Sequence, residues 1–268
     1  MMHVLSLGAG VQSTTMALMA AHGELTPMPD CAIFADTGWE PKAVYDHLAW
    51  LMSANVLPFP VHVVGSRDLR ENVIASTNRS KGRFASVPWF VRNPDGSDGL
   101  GRRQCTREYK IEPLGKKQRE LLGYQPRQRI PANSIEVWIG ISLDEIMRVK
   151  DGRNAWAKNR WPLIERRMHR SDCLQWLERH GYPTPPKSAC IGCPFHGNAH
   201  WRDMKDNSPE EWADAIEVDA AIRNAFRMKG QQYMHRSMVP LAEVDLSTAE
   251  DRGQLNLFNN ECEGMCGV

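Results

Sequence analysis

Short apolar runs alternate with amphipathic segments along the first 150 residues of the chain. The apolar runs HVLSL, CAIFADTG, PVHVVG and IEVWIGIS are bounded by turn residues and predict β-strands. The segments between and after them predict helices over STTMALMAAHG, PKAVYDHLAWLMSA, RDLRENVIAS and LDEIMRV. Strands that alternate with helices predict an α/β fold with a mainly parallel sheet, which binds ligands beyond the carboxyl ends of its strands.

The pattern changes twice further along the chain. Residues 78–101 are rich in Gly, Pro, Ser and Arg without clear periodicity, which is typical of a lid or a disordered loop. After Arg148 the clear helical patterns are SDCLQWLERHG and SPEEWADAIEVDAAIRNAFRMKG. We therefore predict an α/β domain over residues 1–150 and a smaller α-rich, loop-rich region over residues 151–268 packed on it.

The charge of the chain is balanced overall but uneven locally. Lys and Arg number 33 against 32 Asp and Glu, so the net charge of +1 does not by itself demand a polyanionic partner. Residues 147–170, however, contain eight basic residues and only two acidic ones, Asp151 and Glu165. Such a patch suits an anionic ligand, either small or polymeric like a nucleic acid, and is equally typical of a solvated loop face.

Apolar runs and cysteine usage bear on the compartment. No apolar run approaches the roughly 20 residues of a membrane helix, and no signal-peptide pattern opens the sequence, so we expect a cytoplasmic protein. Seven cysteines, an odd number, argue against a disulfide framework in such a chain and favour metal binding or redox chemistry.

The turn after the first predicted strand is rich in small residues. Gly8 and Gly10 allow a sharp turn and close approach of a ligand, and the following helix begins with outward-pointing amides that favour an anion. Ser6 and Ser13 can add hydroxyl donors. The turn is interpreted as a phosphate or sulfate cradle, although small residues at such turns are also ordinary packing.

The second predicted strand ends in Asp36, Thr37 and Gly38, at the same edge of the sheet. Two turns of this kind side by side indicate a nucleotide cleft. The alternative for Asp36 is that it caps the next helix.

Six segments in order resemble the phosphoadenosine phosphosulfate (PAPS) reductase family of the PP-loop superfamily of adenine-nucleotide α-hydrolases. They are SLGAGVQST, FADTGWEP, CTREYKIEPL, IGISLDEIMR, WPLIE and CIGCPF. The resemblance implies a doubly wound sheet that binds an adenine nucleotide at the first turn, through residues Gly8, Ala9, Gly10, Gln12 and Ser13. ATP pyrophosphatases of the superfamily typically carry SGGxDS, where this chain has Gly8 for the first serine and Gln12 for the aspartate. The turn is therefore more similar to that of sulfonucleotide reductases, which weakens the case for ATP cleavage.

Three cysteines match positions that bind a cluster in relatives. Cys190 and Cys193 form a C-x-x-C motif, and Cys105 lies among four cations of the stretch RRQCTREYK, which favour its thiolate. In adenosine phosphosulfate (APS) reductases two adjacent cysteines and a later C-x-x-C hold a [4Fe–4S] cluster. Here Thr106 replaces one cysteine, so the resemblance implies three ligands and a fourth position that is open or filled by a tail cysteine. Zinc held by these cysteines and His196 is the alternative.

The tail NNECEGMCGV carries Cys262 and Cys266. The reductases end with a catalytic cysteine whose thiolate attacks the sulfonyl sulfur, and either residue is a candidate for this role; the two also form a possible resolving pair. Among the charged residues, Lys110 and Arg148 are predicted to contact phosphate or sulfate groups. Cys31 and Cys173 are expected in the core.

Three hypotheses follow. The first is a sulfonucleotide reductase that uses an Fe–S cluster, a tail thiol and an external thiol reductant protein. The second is an adenylating enzyme that releases pyrophosphate from ATP and transfers sulfur to a nucleic acid or another acceptor. The third is a non-catalytic nucleotide-binding module with structural zinc.

Overall fold

The computed structural model describes residues 1–65, 68–77, 87–225, 229–248 and 250–253. Within them the strands are β1 Met2–Leu7, β2 Cys31–Ala35, β3 Val61–Val64, β4 Phe90–Arg92, β5 Asp98–Leu100, β6 Ile135–Ile139, β7 Ala157–Arg160 and β8 Gln231–Tyr233. The α-helices are α1 Val11–Ala21, α2 Lys42–Leu51, α3 Leu69–Ile74, α4 Glu112–Leu121, α5 Pro162–Glu165, α6 Arg170–Arg179, α7 Asn198–Asn207 and α8 Pro209–Ile222.

Five strands form a parallel sheet in the order β3-β2-β1-β6-β7. Alternate residues of its central strands pack on opposite faces. Leu5 and Phe34 belong to a core with α1, α2 and α6, whereas Val4 and Ile33 face the side on which α4 packs. Helices therefore cover both faces, which confirms the predicted α/β, doubly wound fold.

A smaller antiparallel sheet, in the order β5-β4-β8, joins two distant parts of the chain. A second hydrophobic core includes Trp89, which directly precedes β4, Trp201 of α7 and Val218 of α8. Residues 78–101 were predicted to be a lid or a disordered loop. That prediction is wrong for residues 87–101, because β4 and β5 lie there and pair as a hairpin. The rest of that segment, residues 78–86 with Arg79, Lys81 and Arg83, lies outside the described residues.

The helical predictions hold for α1, α2, α3, α6 and α8. The segment LDEIMRV is a 3-10 helix, Leu143–Arg148, rather than an α-helix, and it is kinked at Glu145, whose φ of −112° and ψ of 16° are not helical. A second short 3-10 helix spans Leu241–Glu243.

A π-helix, Thr106–Ile111, runs directly into α4 and was not predicted. Pro113 in the first turn of α4 lacks an amide proton and would crowd the carbonyl four residues earlier, which a wider turn relieves. Single π turns occur frequently at functional sites.

The region after residue 150 contributes the edge strand β7 to the main sheet and β8 to the small one. The division into residues 1–150 and 151–268 stays a prediction. Cys31 and Cys173 are buried as expected, and burial raises the pKa of their thiols to about 11 and about 12. None of the helices that the structure describes is long and apolar enough to cross a membrane.

Candidate functional site

A cleft opens at the carboxyl edge of the main sheet, where the ends of β1, β2 and β6 meet. Its walls include Gly8 after β1, Ala35 at the end of β2 and Gly140 after β6. The strand order reverses at β1, and this is the switch point at which such sheets bind ligands. The cleft is partly open to solvent, and polar and apolar residues together line it.

The opening turn is built differently from the prediction. The left-handed residue is Ala9, with φ +56°, whereas Gly10 is extended and precedes the first residue of α1. Gly10 is needed for close approach instead, since an added Cβ would lie 3.0 Å from Cβ of Ser188. The amide of Gly8 donates to Oγ of Ser13 at 3.1 Å, and that hydroxyl donates to the carbonyl of Gly10 at 3.3 Å.

Four of the predicted nucleotide-binding residues of this turn line the cleft together with Ser6: Gly8, Gly10, Gln12 and Ser13. Ala9 is fully buried and is not part of the lining.

A segment from the second half of the chain forms the opposite wall. Pro186, Lys187, Ser188 and Ala189 line the cleft, and the Ser188 hydroxyl donates to the carbonyl of Gly8. Lys187 and Ser188 are absent from the sequence-based site. The only local signal is the Pro-rich approach TPPKSAC to the C-x-x-C motif.

Four cationic side chains line this one cleft: Lys110, Arg148, Arg170 and Lys187. Lys110 and Arg148 were predicted to contact phosphate or sulfate, and the structure brings them to the same cavity. Arg170, at the first position of α6, was not singled out.

Glu145 is the one acidic residue among the described residues that line the cleft. Its Oε1 lies 2.5 Å from Nη1 of Arg148, and burial raises the pKa of its carboxyl, while Arg148 opposes that shift. The amide Nε2 of Gln12 lies 3.5 Å from Oε2 of Glu145. Arg148 pairs with this acid, and Lys110 pairs with Glu40, which lies outside the lining. The four cations therefore still outnumber the acids beside them, which suits an anionic ligand.

Asp144 has a structural role in the same region. Its carboxylate accepts the amide of Arg170 at 2.9 Å and lies 2.7 Å from Nδ1 of His169. It therefore ties the 3-10 helix after β6 to the start of α6, and so fixes Arg148 and Arg170 on neighbouring elements.

The second turn, Asp36-Thr37-Gly38, lies beside the cleft but not in its lining. The carboxylate of Asp36 is 2% exposed and accepts the amide of Gly38 and the hydroxyl of Tyr45, each at 2.8 Å. Burial and the hydrogen bond to Asp36 raise the pKa of Tyr45. Asp36 thus closes its own turn rather than capping α2, and a contact of these three residues with a nucleotide stays a prediction.

The three predicted cluster cysteines line a second cavity that adjoins the cleft. Lys110, Cys193 and Phe195 line both cavities. Cys105 directly precedes the π-helix that carries Lys110, and the C-x-x-C motif directly follows residues 186–189 of the cleft wall. Each of these two chain segments therefore lines both the cleft and the cysteine cavity.

The C-x-x-C motif forms a tight turn that packs against the second turn of the sheet. The amide of Cys193 donates to the carbonyl of Cys190 at 3.0 Å, and the amide of Ile191 donates to the carbonyl of Trp39 at 2.9 Å. Gly192 lies under the indole of Trp39, where an added Cβ would be 2.1 Å from Cη2.

Glu40 is a buried carboxylate that the sequence reasoning did not single out. Its side chain is 1% exposed, and Oε1 lies 3.2 Å from Nζ of Lys110. The same oxygen accepts the hydroxyl of Thr37 at 3.2 Å and the thiol of Cys190 at 3.6 Å. Its Oε2 has no hydrogen-bond partner among the described residues. Glu40 and Lys110 therefore form a buried ion pair between the cysteine cavity and the cleft.

Cys105, Cys190 and Cys193 are the candidate metal ligands of this cavity, and whether they hold a cluster or a zinc ion stays a prediction. No group of three or more His, Cys, Asp or Glu side chains in the described part of the chain could hold a single metal ion. His196, the fourth zinc ligand of the alternative, is engaged through Nε2 with the carbonyl of Cys190 at 2.9 Å. Burial lowers the pKa of this imidazole well below its usual value.

Cys262 and Cys266 lie outside the described residues.

Comparisons with known proteins add little information about this site. No protein-family model matches the chain, and no curated protein matches it. Among solved structures, the chain is similar to phosphoadenylyl-sulfate (PAPS) reductase from Candida auris in its phosphate complex, with 14% sequence identity. The match covers 68% of this chain and 74% of that one, at a TM-score of 0.43. A similarity at this level is too low to identify a function.

Proposed function

We propose that the chain is an enzyme of sulfur chemistry that binds an adenine nucleotide bearing phosphate or sulfate groups, namely APS, PAPS or ATP, in the cleft. The observation that carries the proposal is the convergence of Lys110, Arg148, Arg170 and Lys187 on the carboxyl edge of a parallel sheet. Charge-assisted hydrogen bonds from such groups to phosphate oxygens are about twice as strong as neutral ones. The amides that begin α1 and the hydroxyl of Ser13 add donors on the same wall.

The cysteine cavity supports sulfur chemistry beside that nucleotide. In this proposal Cys105, Cys190 and Cys193 hold a [4Fe–4S] cluster, which when bound would supply an iron centre adjacent to the cleft. Lys110 lines both cavities and would place its ammonium between the cluster and the anionic end of the nucleotide.

The leading version is reduction of a sulfonucleotide by a tail thiol. A thiolate of Cys262 or Cys266 attacks the sulfonyl sulfur, an S–S bond forms, and the nucleotide leaves with the electrons of the broken S–O bond. One thiol of a dithiol reductant protein then attacks the tail cysteine sulfur, forms a mixed disulfide with it and releases sulfite. The second thiol of the reductant breaks that mixed disulfide, which frees the tail cysteine and leaves the reductant as a disulfide. The tail thiol and the reductant partner stay predictions from the sequence.

The test combines metal content with product analysis on anaerobically purified protein. We expect about four irons per chain, as one [4Fe–4S] cluster contains, and sulfite from APS or PAPS in the presence of a dithiol reductant. Replacing Cys262→Ser and Cys266→Ser together should abolish sulfite release while nucleotide binding is unchanged. Full turnover in the double variant would contradict the tail-thiol step, and zinc without iron would contradict the cluster.

The second candidate is ATP-dependent sulfur transfer with release of pyrophosphate. It is favoured by cations that continue from Arg148 along the edge strand β7, where a polyanionic acceptor could lie. Pyrophosphate release from ATP without sulfite release from either sulfonucleotide would select this candidate. The absence of pyrophosphate with every acceptor tried would count against it.

A further inference from the structure

A row of exposed cations leaves the cleft along the open edge of the main sheet. The chain after Arg148 runs beside the edge strand β7: Asn159 Nδ2 donates to the carbonyl of Lys150 at 2.9 Å. Gly152 lies directly against that strand, since an added Cβ would be 2.4 Å from the carbonyl oxygen of Ala157. Lys150 and Arg153 therefore follow β7 away from Arg148, which lines the cleft, and Lys158 lies on the strand itself.

The row continues past the amino end of β7. The amide of Asn133 donates to the carbonyl of Ala155 at 3.1 Å, which brings the loop before β6 alongside. Arg119 stacks over the Trp156 ring at 6.0 Å and donates to the carbonyl of Gln128 at 2.7 Å. We call the following set the basic stripe: Lys150, Arg153, Lys158, Arg119, Arg127 and Arg129.

The positive charge of the stripe is largely uncompensated. Five of its members are exposed, and Arg119 is half-buried. Among the residues that the structure describes, none of the six takes part in an ion pair, in contrast to Arg148 with Glu145 and Arg160 with Glu165. Asp151 is the one acidic residue between positions 149 and 158. In a chain with a net charge of +1, this concentrates cations on one edge.

The end of the stripe nearest the cleft carries exposed apolar groups. Met147 is 90% exposed and Ile146 is 48% exposed, and both precede Arg148 directly. Exposed apolar side chains beside cations indicate an interaction site for a ligand that has both charged and apolar groups. A nucleic acid strand has this chemistry, because its phosphates repeat along the chain and every base offers a face for stacking.

We propose that the basic stripe binds a nucleic acid strand and leads it past Met147 to the mouth of the cleft. The proposal goes beyond the nucleotide site, and it holds whichever adenine nucleotide the cleft takes. If the cleft carries out the sulfur transfer of the second candidate, a strand bound in this way would also present one nucleotide to it as the acceptor, and this role rests on that candidate.

The test measures fluorescence anisotropy of labelled single-stranded RNA and DNA of about 20 nucleotides, longer than a single binding fold usually covers. Binding is followed between about 50 and 200 mM salt for the full chain and for Lys150→Ala/Arg153→Ala/Lys158→Ala. A matched control removes three exposed cations from other surfaces, Lys42→Ala/Arg179→Ala/Lys205→Ala. Thermal melting confirms that both variants fold, and titration with ATP and APS measures the cleft separately.

We expect the stripe variant to lose roughly tenfold or more in affinity at low salt. The slope of log K against log salt should fall by about 2, since each phosphate contact with a single strand contributes about 0.7. The control variant should bind like the unmodified chain, and a preference for RNA or for DNA would identify the natural strand. An equal loss in the control variant, an unchanged slope in the stripe variant, or no binding of either strand at the lowest salt would overturn the proposal. Retained nucleotide binding in that last case would leave the cleft assignment intact.

Discussion

Lys110 Nζ lies 3.2 Å from Oε1 of Glu40, and this ion pair sits between the cleft and the cysteine cavity. The carboxylate is 1% exposed and the lysine is 18% exposed, so the pair is largely shielded from water and loss of either charge leaves the other poorly solvated. The lysine therefore has a structural partner on one side and a candidate anionic ligand on the other.

Replacing Lys110→Ala should have two separable effects. Nucleotide affinity should fall by roughly tenfold to a hundredfold, because a charged contact to the anion is lost. The free energy of unfolding should also fall, by about 3 kcal/mol, because Glu40 is left buried and unpaired. Isothermal titration calorimetry and urea denaturation measure the two effects.

Adding Glu40→Gln to Lys110→Ala separates these effects. The double variant should recover most of the lost stability without recovering affinity, since the buried charge is gone but the cation is still missing. Lys116→Ala, at an exposed position of α4, serves as the control. Recovery of affinity in the double variant would show that Lys110 acts only through the fold.

The turn around Gly192 should tolerate no side chain. A methyl group there would overlap the indole of Trp39, which is held by a hydrogen bond of 2.6 Å from its Nε1 to Asp214 Oδ2. Gly192→Ala should therefore lower the free energy of unfolding by about 1–3 kcal/mol or more. Urea denaturation at one pH measures it.

Gly115→Ala supplies the matched comparison for that glycine. Gly115 lies within α4 and has no atom within 4 Å of an added Cβ. It should stabilise the chain by roughly 0.5–1 kcal/mol, because alanine loses less backbone entropy in a helix. A destabilising effect of similar size at both positions would contradict the packing described here.

Stability should depend on pH through His47. Burial lowers the pKa of this imidazole to about 4, below its ordinary value of 6.5, and its Nε2 lies 3.0 Å from Oγ1 of Thr14. The unfolded chain then binds a proton that the folded chain does not. Above pH 6.5 the proton uptake of His47 does not lower the free energy of unfolding. As the pH falls from about 6.5 towards about 4, this uptake by the unfolded chain lowers the free energy of unfolding by roughly 3 kcal/mol in total.

The measurement is the free energy of unfolding in urea at several pH values between about 7.5 and about 4, a range that spans the unfolded and folded pKa values of His47. Other groups titrate in the same range, so the informative quantity is the difference between the unmodified chain and His47→Gln. That difference should narrow as the pH falls. Parallel pH profiles of the two proteins would show that His47 does not titrate as described.

Much of the fold could be predicted because its signals are local. The strands β1, β2, β3 and β6 are apolar runs, and α1 and α2 have helical periodicity, so each is encoded within a few residues. The edge strand β7, with the sequence AKNR, has no apolar run because it is half-exposed and only extends a sheet formed by others. The π-helix had no periodicity to recognise.

The candidate site could likewise be predicted only where its residues are set by local sequence. The turn residues Gly8, Gly10 and Ser13 follow a strand end, so their position in the cleft could be predicted from the sequence. Lys187 and Ser188 meet that turn from about 180 positions away, and Glu40 meets Lys110 from 70 positions away, as their residue numbers show. No local pattern contains such pairs. Asp36 is oriented by Tyr45 on α2, which redirects it away from the cleft lining.

The central claim is that the cleft binds an adenine nucleotide through its converging cations, and calorimetric titration with APS, PAPS and ATP tests it most directly. The unmodified chain should bind at least one of the three. Lys187→Ala and Arg170→Ala should each weaken that binding by roughly tenfold or more, while Arg179→Ala, an exposed cation at the far end of α6, should leave it unchanged. No binding of any of the three nucleotides, or equal binding by all three variants, would contradict the account.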